Sequence, residues 1–315
     1  MNNLDFAKNY TKQSQGNNIY VRPRLGNDGN TGKTPTAAVK TLAKALSLAT
    51  ANQNDTVYMM CEGNTGSNTT DYQSTGLNWN KDGVHLIGVG AADELYLGQR
   101  ARVSNLSTAA LPSPLFTLSA NNCVISGIEF FHGVGATDLT TAATCVLVSG
   151  MRNLIKNCQI SGMGDQDLDV TASSSLTVTG AENVFKQCYI GLDTIIRAEA
   201  IYEVYIGGNA TRCVFEDCLI NSYTSLTTFK AITMYHGSAH TLTVLKNCIL
   251  NSETGRTSCV TVTGAIDVGP IAGHIVMTGG CVAGYAAVVT GGSAKVLINS
   301  VAGATDAGEA IASAT

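Results

Sequence analysis

Chemistry in this chain would have to come from two acidic stretches. In GDQDLDV, Asp165, Asp167 and Asp169 alternate, and some thirty residues further on Asp193, Arg197, Glu199 and Glu203 lie near one another. Cleaving a polysaccharide takes two or three carboxylates at a suitable separation, or a Ca²⁺ cluster beside a basic residue. These stretches hold the right residue types for that work. They suit a solvated turn better than a site, because no aromatic platform for a sugar ring accompanies them and the sole tryptophan, Trp79, lies far upstream.

Other reactive residues point away from a site. His85, His132, His236, His240 and His274 show neither HExxH spacing nor flanking carboxylates. His236 and His240 are four apart, but in a β-rich stretch that does not put them on one face. Turn or core positions are expected for all five. A run ending in Gly32, Lys33 and Thr34 hints at a phosphate loop, yet that motif needs a glycine where Asn27 stands, so a solvated turn is expected. Ten cysteines spread from Cys61 to Cys281 contain no CxxC pair, and the closest two, Cys213 and Cys218, have no adjoining histidine. Zinc ligation and a dense disulfide framework are both disfavoured, leaving buried free thiols that behave as small hydrophobes. No residue is assigned to catalysis, cofactor or metal binding, and no cofactor is expected.

Composition sets the frame for those residues. Only 13% of the 315 residues are charged and 6% aromatic, with Gly, Ser, Thr, Asn, Ala and Val abundant, which suits short strands and tight turns. The net charge is −4 and Lys and Arg are scattered, so no basic stripe for nucleic acid is read. No stretch approaches the ~18 apolar residues of a membrane span. The opening MNNLDFAKNYTKQSQGNN lacks the apolar region of a secretory signal, so synthesis in a cytoplasm is expected.

Stacking the segments exposes a register. Ile128, Cys158, Cys188, Cys218 and Cys248 recur every thirty residues. Three positions earlier stand Ile125, Ile155, Phe185, Phe215 and Leu245, and two later Phe130, Ile160, Ile190, Ile220 and Leu250. Between these apolar columns, Gly127, Asn157, Gln187, Asp217 and Asn247 break the alternation and mark a corner. Ten residues upstream, Phe116 and Leu118, Val146 and Val148, and Leu176 and Val178 form a second set of strands, with room for a third strand in each unit. The pattern predicts an all-β, right-handed parallel β-helix of about 30 residues per turn. Inward cysteines would form one stacked row of free thiols.

The organisation expected is a polar arm over 1–17, a strand and capping helix over 18–63, the β-helix over 64–302 and a tail over 303–315. Val39, Leu42, Leu46 and Leu48 give the cap helix its apolar face. The arm is expected to dock on its own subunit or on other chains. One column outside the inward row, Val124, Leu154, Val184, Val214 and Val244 should face out as an apolar stripe.

The opening YVRPRLGNDGN…KTPTAAVKTLAKAL…NDTVYMMCEG resembles the start of pectate-lyase-like β-helix proteins, phage tailspikes in particular, over roughly residues 18 to 63. Families of that fold include polysaccharide lyases, hydrolases and epimerases as well as non-enzymatic virion spikes and capsid decoration proteins. The resemblance, with the thin carboxylate pattern and modest length, implies a non-enzymatic structural component of a bacteriophage virion, a capsid decoration (cement) protein or short spike. Its partners would be two further copies in a homotrimer, the major capsid protein and a host glycan. The alternative is a tailspike-like protein that binds or degrades polysaccharide.

Overall fold

The computed structural model describes residues 16–61, 70–73, 75–90, 101–105, 112–132, 142–162, 171–197, 202–207, 210–224, 230–235, 242–252 and short strands at 260–263, 274–278, 282–283, 289–290 and 296–299. Asp165, Asp167, Asp169, Glu199, His236, His240, Cys259 and Cys281 lie outside them, as do most of the expected arm and the whole tail.

Each turn of the chain gives one strand to each of three sheets. Phe116–Leu118, Val124–Ser126 and Ile128–Phe131 are followed thirty residues later by Thr144–Val148, Leu154–Lys156 and Gln159–Ser161, and these by Ser174–Val178, Val184–Lys186 and Tyr189–Arg197. The sheet containing Val124–Ser126 (sheet I) is ten strands deep, and those containing Ile128–Phe131 (sheet II) and Phe116–Leu118 (sheet III) are eight deep. All strand pairs are parallel, and register is kept: Ile155 lies between Ile125 and Phe185, and Ile160 between Phe130 and Ile190. The chain is a right-handed parallel β-helix. The third strand for which the thirty-residue unit leaves room is present.

Identical positions stack, so an inward column becomes a continuous apolar row. Ile125, Ile155, Phe185, Phe215 and Leu245 are all buried, as are Phe130, Ile160, Ile190 and Ile220. Phe185 and Phe215 stack with centroids 4.6 Å apart and planes 9° from parallel. Each such side chain contributes about 1.5–3 kcal/mol by leaving water.

The corner between sheets I and II is one or two residues wide. Gly127, Asn157, Gln187, Asp217 and Asn247 all have left-handed backbones, φ 48–69°. For residues with a Cβ this conformation costs roughly 1–2 kcal/mol, and the next residue helps to offset it. Cys158 Sγ donates to the carbonyl of Lys156 across the corner (3.2 Å) and to Ile125 one turn earlier (3.7 Å); Cys188, Cys218 and Cys248 repeat the pattern. The four thiols are buried and free, as the register predicts, but they do more than fill space. They are weak donors that tie each corner to the turn before it.

A second left-handed row, Asn122, Arg152, Glu182 and Arg212, forms the corner between sheets III and I. The residues after it are Cys123, Asn153, Asn183 and Cys213, all buried. Asn183 Nδ2 donates to the carbonyls of Gly150 and Gly180, while the amides of Cys123 and Asn153 donate to Oδ1 of Asn153 and Asn183. This internal ladder satisfies backbone groups that no strand partner reaches.

The cap explains the opening motif. Asp28 accepts from the amides of Lys40 and Thr41 and from the Thr41 hydroxyl, and Thr41 in turn caps the helix Leu42–Leu48. A Cβ on Gly26 would lie 2.2 Å from the carbonyl oxygen of Val39. The helix is shorter than the apolar spacing predicts: Leu42, Ala45 and Leu46 are buried, whereas Val39 bridges to Val21 before the helix begins and Leu48 is exposed. The Gly32–Thr34 segment is a turn, with the Gly32 amide donating to Ala37 and the Thr34 side chain capping a short 3₁₀ turn.

Candidate functional site

Of the acidic candidates, Asp193 and Arg197 fall on the sheet II strand Tyr189–Arg197, whose pairing shifts register between Leu192 and Arg197. Glu203 falls on the sheet III strand Tyr202–Ile206 and is fully buried. Ser175 Oγ donates to its Oε2. Gly191 makes the space, since a Cβ there would lie 2.9 Å from the carboxylate. Nearby in sheet II, Asn221 Nδ2 donates to the Tyr189 hydroxyl (3.1 Å) and Ser161 Oγ reaches the Gly191 carbonyl (3.5 Å). Sheets II and III therefore meet along a buried polar seam, and Glu203 braces that seam instead of facing a substrate.

His132, at the end of the strand Ile128–Phe131, is fully buried and its ring nitrogens make no hydrogen bond of ordinary geometry. Burial pulls its pKa down to about 4, against a small upward pull from the Pro112 carbonyl. His85 is also buried, and its Nδ1 accepts from the Val124 amide (3.1 Å). Both are core histidines, in line with the sequence reading; the side chain of His274 lies outside the described set. Trp79 is a core residue too, its Nε1 donating to the Val84 carbonyl. Among the described residues no three His, Cys, Asp or Glu side chains gather as a metal cluster would.

The organised surface is the outer face of sheet I. Val124, Leu154, Val184, Val214 and Val244 are half-buried and point outward, as the strand alternation predicts. The adjoining outward column runs, in register, through Tyr20, Tyr58, Ile87, Ser126, Lys156, Lys186, Glu216 and Lys246. Tyr20 and Tyr58 stack with centroids 5.6 Å apart. Glu216 takes Lys186 at 3.1 Å and Lys246 at 2.7 Å, one from each adjacent turn. On the corner row, Glu182 likewise takes Arg152 (2.6 Å) and Arg212 (2.5 Å). These cations hold both carboxyls below their ordinary range, with hydrogen bonds from Arg212 and from Lys246 as the largest cause in each case.

In both ladders the cations are the more exposed partners. The Arg152 and Arg212 side chains are 63% and 60% exposed against 28% for Glu182, and Lys186 and Lys246 are 22% and 48% exposed against 16% for Glu216. Reading the sequence for single motifs misses this face, because its order lies across turns.

The fold and face define a β-solenoid with a charge-laddered lateral sheet. No family model matches the chain, and no curated protein matches it by sequence. Solved structures do. A rhamnogalacturonan lyase superposes with TM-score 0.53 at 14% identity, covering 87% of this chain and 74% of that one. The pectin methylesterase PemA of Erwinia chrysanthemi gives 0.51 at 15%, covering 83% and 77%, and the pectate lyase Pel9A gives 0.50 at 10%, covering 89% and 71%. The likeness to pectate-lyase-like β-helix proteins is thus one of fold over most of the chain.

Proposed function

We propose that the protein binds polysaccharide on its β-helix, with Asp193 and Glu199 as the carboxylates to test for cleavage. The observation that carries this reading is the extended likeness to solenoids named for work on pectic polysaccharides. A coil of this kind offers a straight lateral surface on which side chains repeat at the strand spacing of roughly 4.8 Å, suited to a polymer that itself repeats. The virion structural role suggested by the opening residues gains no support from these neighbours, and the polysaccharide reading, which stood as its alternative, is the better supported of the two.

The test is affinity electrophoresis against a panel of plant, capsular and lipopolysaccharide fractions, followed by chain-length analysis of any polymer that retards the protein. Retardation is expected for at least one polymer. Shortening that disappears in Asp193→Asn or Glu199→Gln would establish cleavage. Absence of retardation across the panel would refute the reading.

A further inference from the structure

We infer that the outer face of sheet I is the interface of a two-fold homodimer whose coils lie side by side and run in the same direction. The inference is independent of the polysaccharide reading above. The face has the anatomy of an interface, an apolar centre between charged rims. Val124, Leu154, Val184, Val214 and Val244 form the centre, stacked one per turn. The corner row of Arg152, Glu182 and Arg212 lies two residues before that ridge, and the column of Lys156, Lys186, Glu216 and Lys246 two residues after it. A contiguous apolar strip of this kind marks a contact surface.

The order of charges selects the occupant. A two-fold axis running along the coil, midway between two copies, brings the corner row of each copy opposite the lysine column of the other at the same height. Glu182 then faces the second copy's Lys186, and Arg212 faces the second copy's Glu216. Symmetry repeats both pairs. Only the turn of Arg152 and Lys156 sets like charges opposite. Each ridge residue meets its own equivalent on the axis, and because both copies share the strand spacing of roughly 4.8 Å every turn stays in step. Sheets packed face to face lie about 10 Å apart, within reach of Arg, Lys and Glu side chains from the two rims. Arg212 is 60% exposed, and its guanidinium carries more donors than its two bonds to Glu182 use. A three-fold ring would set the face against a different patch of its neighbour and leave this self-complementarity unused.

Size sets the affinity. From Tyr20 to Lys246 the face runs through seven strand steps, roughly 34 Å, and it is about 13 Å wide across its three columns. Two copies together cover about 900 Å² in projection, at the small end of specific interfaces, so a dissociation constant in the micromolar range is expected.

The test is sedimentation equilibrium of the full chain from about 1 to about 100 µM. A monomer–dimer equilibrium is expected. Val184→Lys should raise the dissociation constant about tenfold or more, and Thr117→Lys, on the outer face of sheet III, should leave it unchanged. Arg212→Glu and Glu216→Arg should each weaken self-association about tenfold or more, yet an equimolar mixture of the two should form a heterodimer within about threefold of wild type, because each altered charge then meets its complement. Such a rescue reports contact between copies and not folding, since neither chain regains its own ladder. A monomer at every concentration, a trimer, or a dimer that Val184→Lys leaves intact would overturn the inference. Splitting by Val184→Lys with no rescue in the mixture would overturn it as well, because oppositely directed coils set Arg212 against Glu182. Polymer retention is read in a separate assay, so this inference and the polysaccharide reading fail independently.

Discussion

The backbone amide of Asn153 donates to the side-chain oxygen of Asn183, 3.0 Å away and one full turn later. Both carboxamides are sealed inside the coil, so truncating either strands buried backbone groups. Asn183→Ala is expected to cost about 1–3 kcal/mol in denaturant unfolding. Asn183→Cys should cost less, because Cys123 and Cys213 already hold equivalent positions and Cys213 Sγ donates to the Gly180 carbonyl.

The thiol row makes a second prediction. Cys158, Cys188, Cys218 and Cys248 are free and buried, and desolvation drives the Cys218 thiol well above its ordinary pKa, with the neighbouring thiols of Cys188 and Cys248 adding to the shift. Thiolate is the reactive form, so a thiol reagent should leave all four unmodified in the native protein and label them after unfolding. Cys188→Asp should cost about 3 kcal/mol or more, since a carboxylate in that row would be buried without a partner.

His132 gives the fold a pH dependence. Its folded pKa of about 4 lies below the ordinary value of 6.5, so the unfolded chain binds the proton more readily between those values. The stability that comes from keeping this ring neutral is complete above pH 6.5 and is lost as pH falls towards 4, about 3 kcal/mol in all. Unfolding free energies measured from pH 7 to pH 4 should fall steeply in wild type and less steeply in His132→Leu.

Close approach at the glycine corner is equally testable. A Cβ on Gly180 would lie 1.9 Å from the carbonyl oxygen of Gly150, a backbone atom that cannot swing aside. Gly180→Ala is expected to give insoluble protein or a cost of several kcal/mol, of the order seen for severe overpacking. Ser119→Ala, on an exposed hydroxyl bonded to Asn78, should change little and serves as the control.

The thiol row and the corner before it were legible in the sequence for one physical reason: stacking places like environments thirty residues apart, and Cys158, Cys188, Cys218 and Cys248 answer with one residue type. The charge ladders obey the same geometry but hid from the same reading. Their columns demand complementarity, so Arg152, Glu182 and Arg212 alternate in kind and look unrelated when like is sought with like. The internal amide ladder hid because cysteines occupy the ends of its column. Tyr20 and Tyr58 were missed because the cap inserts residues between them, setting them thirty-eight apart instead of thirty. Glu203 was grouped with Asp193, Arg197 and Glu199 from its neighbours in sequence, as a solvated turn before a site, whereas its neighbours in space are Ser175 and Gly191 and it is fully buried.

The fixed pitch has one more consequence. Each turn touches only the turns above and below it, so the coil is a one-dimensional array whose length is set by how many thirty-residue units the gene carries. Copying one unit, such as 154–183, would splice in a turn with every row continued, lengthening the lateral face by roughly 4.8 Å without redesign of anything else. The molecule is in this sense a ruler with a repeatable graduation, and its valency towards a long polymer could be changed by duplication alone.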